Sequence, residues 1–295
     1  MIFYNKKNKY LSIFLFLLPS VLGLIVFGIL PMLGSLTLSF SEWDIISGPP
    51  KLIGLDNFIN ILKGNEFWRV LNNTLYYIIL YIPLILISSL SLALLLNNKF
   101  KGIKIYRTLY YIPVITSWVA GSLIWKIVLN PQFGVLNNLL NFIGLQGPGW
   151  LYDQTWAMPG IVLASIWKDV GFFGLILFSG LRGISPTYYE AAEIDGANSW
   201  QRFKNITLPL ISPTLLFVII ISLINSFQLF PQVMIMTQGG PNGATQVMVE
   251  RIYKYAFQYY KMGYASAFSW LLFIIVFVVT LLQMKLQKRW VHYES

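Results

Sequence analysis

A few polar side chains in two otherwise apolar runs decide what this chain can do. Lys168 and Asp169 stand side by side within 156–181, and Ser222, Asn225, Gln228 and Gln232 are spaced through 210–236. On a helical wheel these last residues fall within about 120°, with Phe227 and Phe230 nearby and Pro231 set to distort the turn. Amides and a hydroxyl beside aromatic rings suit a solute that offers both hydroxyls and apolar faces. The same stripe suits packing against another helix, because polar groups turned to lipid are costly. Ionisable groups at membrane depth cost roughly 2.5 to 3.5 kcal/mol on insertion scales, so Lys168 and Asp169 need a protein or water environment. Ser165, Lys168, Asp169, Phe172 and Ser179 share one helical face, which is expected to point inward. Sequence neighbours are poorly placed to pair with each other. Pairing elsewhere, including across to another subunit, and contact with a solute both remain open to them.

Chemistry on a substrate would need more. The sequence has no cysteine, which excludes disulfides, thiolate chemistry and cysteine-ligated metal. Its single histidine, His292, lies in the carboxy-terminal tail, where solvation is the ordinary state. No paired carboxylates, histidine–metal cluster or activated nucleophile is apparent. No G-x-x-x-x-G-K-[ST] loop is present to cradle phosphates. The chain is expected to be no enzyme and to bind no metal or cofactor itself.

A second polar cluster, 185–209, lies between the two runs and must face water, since each unpaired polar group in hydrocarbon costs several kcal/mol. Ser185 followed by Pro186 is a helix start, and Gly196 a left-handed carboxyl-terminal cap. The helix between them, Pro186 to Asp195, is too short to be stable alone. Ala191 and Ala192 give it a small flat face through which another surface can approach closely. Glu190, Glu193 and Asp195 make it acidic, the latter two at the unfavourable end of the helix dipole, which a basic groove on a partner would offset. Asn198 or Ser199 can cap a second short helix that Leu208 and Pro209 end. A solvated loop kept in water by its charges is the alternative reading of these residues.

The elements that hold both clusters follow from composition. The 295 residues are 56% hydrophobic and 11% charged, with mean hydropathy +0.64, whereas a soluble domain carries about 25% charged residues. Runs long enough to cross the bilayer, about 20 residues, fall near 11–38, 75–96, 109–129, 156–181, 210–236 and 263–284. The expected fold is an all-α polytopic transmembrane bundle of six spans. It forms one membrane domain over 1–295, with its core at 71–284 and a cytoplasmic hairpin at 185–209. The first run continues to Phe40 without a cleavage site and exceeds the bilayer, so Pro19, Gly23, Gly28, Pro31 and Gly34 should bend it or let it protrude.

The net charge of +10 has no soluble basic domain to bind nucleic acid and is better explained by orientation. With both termini cytoplasmic, Lys6, Lys7, Lys9, Lys99, Lys101, Lys104, Arg107, Arg182, Arg202, Lys204, Lys285, Lys288 and Arg289 lie inside. Lys51, Lys63, Arg69, Arg251, Lys254 and Lys261 lie outside, as the positive-inside rule prefers. Lys126 should snorkel, and Trp150, Tyr152 and Trp156 suit an interfacial belt. The outer segments 41–70, 130–155 and 237–262 are longer than connectors need to be, which suits docking.

Glu190, Ala191, Ala192, Gly196, Ile206, Leu208 and Pro209 match, without a gap, the signature E-A-A, three residues, G, nine residues, I-x-L-P. In this the chain resembles binding-protein-dependent ABC importer permeases. Patches such as Gly54-Leu-Asp-Asn-Phe58, Gly134-Val-Leu-Asn137, Gly239-Gly-Pro241 and Met262-Gly-Tyr-Ala-Ser-Ala267 are similar to the carbohydrate-uptake class. The resemblance implies that the hairpin is a coupling helix seated in a cleft of a cytoplasmic ATPase, with Asp195 beside the motif. It further implies a second homologous permease, two ATPase subunits that bind ATP and magnesium, an extracytoplasmic sugar-binding protein, and a bacterial or archaeal cytoplasmic membrane. Gly171 stands where relatives often carry proline, which bears on the local kink. A permease for another solute, such as glycerol phosphate, and an ion-coupled secondary transporter are the alternatives. The latter would want several intramembrane carboxylates, and only Asp169 lies deep in a span.

Overall fold

The computed structural model describes residues 6–46, 48–98 and 101–290. Lys99 and His292, invoked above for orientation and for the tail, lie outside the described residues. Two compact units emerge, one formed by Met1–Gly64 with Ile252–Leu271, the other by Asn65–Arg251 with Leu272–Ser295.

The first unit opens with α1 (Lys6–Leu24) and α2 (Leu30–Ser39), joined by a wide π-turn over Ile25–Ile29. The π-turn sits just before Pro31, which has no N–H and whose ring would clash with the carbonyl four residues back. The bend expected from the glycines and prolines is thus absorbed without interrupting the helix, and Ser12–Ser39 continues for 28 residues. Strands β1 (Ser41–Glu42) and β2 (Lys51–Leu52) then pair antiparallel, with Ser41 opposite Leu52, and α3 (Asp56–Lys63) follows. The buried Asn57 amide donates to the carbonyls of Ser39 and Ser41, both at 3.0 Å, closing the end of α2.

The second unit is built on α4 (Asn65–Asn97), followed by α5 (Ile103–Ile115), α6 (Trp118–Val128) and α7 (Val135–Phe142). The long α8 (Ala157–Gly183) leads into α9 (Pro186–Ile194), α10 (Ser199–Arg202), α11 (Leu208–Leu210), α12 (Ser212–Phe227) and α13 (Pro231–Met236). Last come α14 (Met248–Tyr253) and α15 (Met262–Leu286), which run across the boundary between the units in sequence. The core of the second unit is α4 against α8. Val70, Tyr77, Tyr81, Ile85 and Leu92 make the buried seam of α4 at helical spacing. Gly174 admits Leu92, for a Cβ there would lie 2.8 Å from its Cδ2. Small residues bring helices together where lipid gives no hydrophobic driving force.

Among the described residues four helices are long and apolar enough to cross a membrane, or up to six if each bent pair makes one span. The predicted span 109–129 is one such pair rather than a rod, because α5 and α6 meet at 101°. Pro113 withdraws a donor from the last turn of α5, and the Ser117 hydroxyl caps α6 by accepting from the Ala120 N–H at 3.2 Å. The predicted span 210–236 is likewise divided, α12 ending at Phe227 and α13 starting at Pro231. At the other end of α12 the chain turns through 64° at Ile211, so the helical run passes Leu208 and Pro209 instead of ending there. Trp150, expected at the interface, is instead buried, its Nε1 donating to Asn137 Oδ1, while Tyr152 and Trp156 are exposed.

At Gly171 the helix α8 stays unbroken and α5 crosses it closely, for a Cβ there would stand 2.1 Å from the Tyr110 carbonyl oxygen. Gly171→Ala must push the two helices apart and should destabilise the purified chain by about 1–3 kcal/mol, as overpacking does. Thermal unfolding in detergent reads this, with Gly183→Ala as control, since nothing lies within 4 Å of its added Cβ.

Candidate functional site

Two sites carry the residues singled out by sequence. The first is the hairpin. The Ser185 hydroxyl accepts from the Thr187 N–H at 3.4 Å, and Pro186 opens α9, as the start signal predicts. The helix closes in a Schellman motif, with the Ala197 N–H on the Ala192 carbonyl at 2.9 Å and the Gly196 N–H on the Glu193 carbonyl at 3.1 Å. Gly196 has φ +75°, the left-handed conformation that favours glycine. Asp195 is the C-cap residue and lies just outside the helix. Asn198 then makes a reciprocal capping box with Gln201, at 2.9 and 2.7 Å.

Two side-chain contacts tie the arms of the hairpin. The Tyr189 hydroxyl meets Thr207 Oγ1 at 3.0 Å, and Arg202 reaches Glu193 at 3.7 Å. Glu190, Ala191, Asp195 and Gly196 are exposed, while Ala192, Ile206 and Pro209 are half-buried. Leu208, Trp200 and Ile194 are exposed apolar side chains, the last at 88%. The acidic rod therefore ends in an uncovered apolar tip, which a reading centred on its charges does not foresee.

The second site is a cavity of about 220 Å³ lined by Tyr77 and Tyr81 of α4, Trp118 at the start of α6, Asp169 of α8, and Asn225, Ser226, Gln228, Leu229, Pro231 and Gln232. Both broken spans meet here, α6 by its first residue and α12 and α13 by their facing ends. Asn225, Gln228 and Gln232 are brought together as their spacing suggests. Ser222 is not with them. It is fully buried, and its hydroxyl is donated to the Val218 carbonyl of its own helix. Tyr81 donates its hydroxyl to Asp169 Oδ2 at 2.7 Å, and its ring stacks on Tyr77 with centroids 5.2 Å apart.

Lys168 and Asp169 part company. The Lys168 ammonium donates to the Val114 carbonyl at 2.7 Å and lies 5.4 Å from the centre of the Trp118 ring. Val114 is in the last turn of α5, where carbonyls lose their helical partners, so the buried lysine caps a broken span. The inward face expected of α8 is narrower than the wheel suggests. Ser165 and Lys168 are buried, whereas Phe172 and Ser179 are exposed. Sequence reasoning also missed Tyr77, Tyr81, Trp118 and Ser226, whose only signal was a pair of tyrosines one helical turn apart.

A further cluster fixes the loop that follows α13. Arg251 pairs with Glu66 in a largely buried contact, Arg69 donates to Gln246 Oε1 at 2.8 Å, and the Asn73 amide donates to the Gly243 and Gln246 carbonyls at 2.9 and 3.0 Å. These contacts hold the segment after α13 against the first turns of α4.

The chain is 39% identical over 294 residues to the probable ABC transporter permease protein YesP of Bacillus subtilis (strain 168), covering 98% of this chain and 94% of that protein. It is 35% identical to the trehalose/maltose transport system permease protein MalF of Thermococcus litoralis, over 92% of each. Among solved structures, a bacterial alginate ABC transporter in complex with an alginate pentasaccharide-bound periplasmic protein matches with TM-score 0.84 at 26% identity, over 97% of both chains. These relatives are transporter components, not enzymes. Residues 58–292 match the family described as binding-protein-dependent transport system inner membrane component, and the chain, an all-α multi-pass permease, belongs to that family.

Proposed function

We propose that this chain is one membrane-spanning subunit of an ATP-driven importer that moves a sugar or oligosaccharide inward by alternating access. The observation that carries this reading is the hairpin. It is an exposed acidic helix, capped at both ends and tied across its arms, continuous on one side with α8 and on the other with the run into α12. A partner ATPase seated on Glu190, Ala191, Ala192, Asp195 and Gly196 would move both helices at once, with Ile206, Leu208 and Pro209 carrying the motion into α12. The far end of α12 lines the cavity. Two permease states that bind the nucleotide-loaded ATPase with different affinity would then be interconverted by ATP binding and hydrolysis.

The partners proposed are a second, homologous permease, two cytoplasmic ATPase subunits and an extracytoplasmic binding protein, in the cytoplasmic membrane of a bacterium or archaeon. The importer of alginate and the permease for trehalose and maltose, cited above, support a carbohydrate as the solute. The cavity suits one, since aromatic rings from α4 and α6 face amides from the α12–α13 break.

Charge reversal tests the coupling. Glu190→Lys should leave the permease in the membrane while affinity-purified complexes retain less ATPase, or while hydrolysis proceeds without uptake. Wild-type uptake with undiminished ATPase retention would remove that side chain from the interface. For the cavity, Asn225→Ala should lower uptake of the solute retained by the cognate binding protein about two- to tenfold, the worth of one neutral hydrogen bond. Surface expression and ATPase association should not change, and unaltered uptake kinetics would take Asn225 out of the pathway.

A further inference from the structure

The cavity wall carries one carboxyl group. Asp169 lines it, and no lysine or arginine does. The neighbouring ammonium of Lys168 is engaged by the Val114 carbonyl and is not among the lining groups. The ion pairs of Arg202 with Glu193 and of Arg251 with Glu66 do not involve Asp169. Its one protein hydrogen bond here is from the Tyr81 hydroxyl, at a length usual for a hydroxyl on a carboxylate.

We infer that Asp169 sets the charge class of the solute, admitting uncharged polyhydroxylated rings and turning away anions such as uronates and phosphosugars. The inference rests on the proposed reading of this cavity as the pathway. A carboxylate only accepts hydrogen bonds and has several lone-pair sites, of which Tyr81 fills one. Neighbouring hydroxyls of a sugar are donors that fit the rest. Gln232 lines the same wall, placing an uncharged amide beside the carboxylate. Trp118, Tyr77 and Tyr81 supply aromatic surface for an apolar ring face. A uronate or phosphosugar offers the same hydroxyls and ring faces but is repelled by a like charge, the more strongly where the protein lowers the dielectric. A permease for glycerol phosphate, one of the alternatives raised by the sequence, is disfavoured on the same ground.

The absence of cysteine from the sequence permits a test that needs no identified solute. Gln228→Cys places a unique thiol at an exposed lining position. In membrane vesicles containing the full-length chain, its reaction rates with a cationic trimethylammonium-ethyl and an anionic sulfonato-ethyl methanethiosulfonate are measured. Their ratio is divided by that for a small free thiol. The cation should be favoured about tenfold, roughly what a carboxylate about 7 Å away produces in a water-like dielectric. Asp169→Asn should bring the ratio back to the free-thiol value, and Asp169→Glu should keep it. Asn225→Cys, a second lining thiol, should show the same preference, and the ratio at Ser199→Cys in the hairpin, whatever its neighbours set it to, should not move on Asp169→Asn. No cation preference at Gln228→Cys and Asn225→Cys, or a preference unmoved by Asp169→Asn, overturns the inference, and the first of these outcomes stands even if Asp169→Asn fails to fold. The reagents require neither partner nor ATP, so this failure is separate from failure of the uptake and ATPase-retention tests.

Discussion

A peptide group in hydrocarbon has no water to complete its hydrogen bonds, so a helix can be broken at membrane depth only where something else supplies the missing partner. The second unit breaks two runs and supplies partners at each. Where α5 gives way to α6, the Lys168 ammonium takes the Val114 carbonyl and the Ser117 hydroxyl takes the Ala120 N–H. Where α12 gives way to α13, the Gln228 N–H bonds back to Ile224 and Asn225, the Leu229 N–H bonds to Ser226, and Pro231 brings no N–H at all. A lysine that looks misplaced in an apolar span is thus a consequence of the bend beside it.

The breaks in turn make the cavity. A straight helix presents only side chains, whereas a broken one exposes its ends and lets residues from both arms converge. Trp118 enters because α6 restarts two residues after α5 stops, and Gln232 because α13 restarts after α12. Close packing holds these ends in place. Gly171 lets the Tyr110 carbonyl against α8, and Gly174 lets Leu92 against the same helix. The polar wall is therefore built on α4 and α8, the most extensively packed pair in the unit, and its contents are set by where the other spans fail to continue.

What could be read from the sequence divides along the range of the forces involved. The hairpin was legible because caps and turns are local, and Ser185, Pro186, Gly196 and Asn198 each act on neighbours a few residues away. The long spans were legible because hydropathy sums over a window. The 101° bend within 109–129 was not, since its hydropathy is unbroken and only Pro113 and Ser117 mark the site. The polar stripe of 210–236 was half legible. A wheel at 100° per residue assumes one helix, and α12 stops at Phe227, so the phase of Gln232 relative to Ser222 is not what the wheel gives. Tyr77, Tyr81 and Trp118 were invisible because aromatic residues in apolar spans look alike whether they face lipid, core or cavity.

The same geometry bears on how far a push at the hairpin can travel. Coupling needs a discrete element with two arrangements, not merely a line of contacts. The run from α10 to α12 has the shape of such an element. It begins at the capping box of Asn198, widens into a π-turn over Phe203–Thr207, bends 64° at Ile211, and ends beside the cavity at Asn225 and Ser226. A π-turn and a bend are places where a helix departs from its regular path, while α9 is tied to this run by the Tyr189–Thr207 hydrogen bond. On the proposed reading, a displacement of α9 would pass into this arm of the hairpin, which carries the π-turn and the bend and ends at the amide side chains of the cavity.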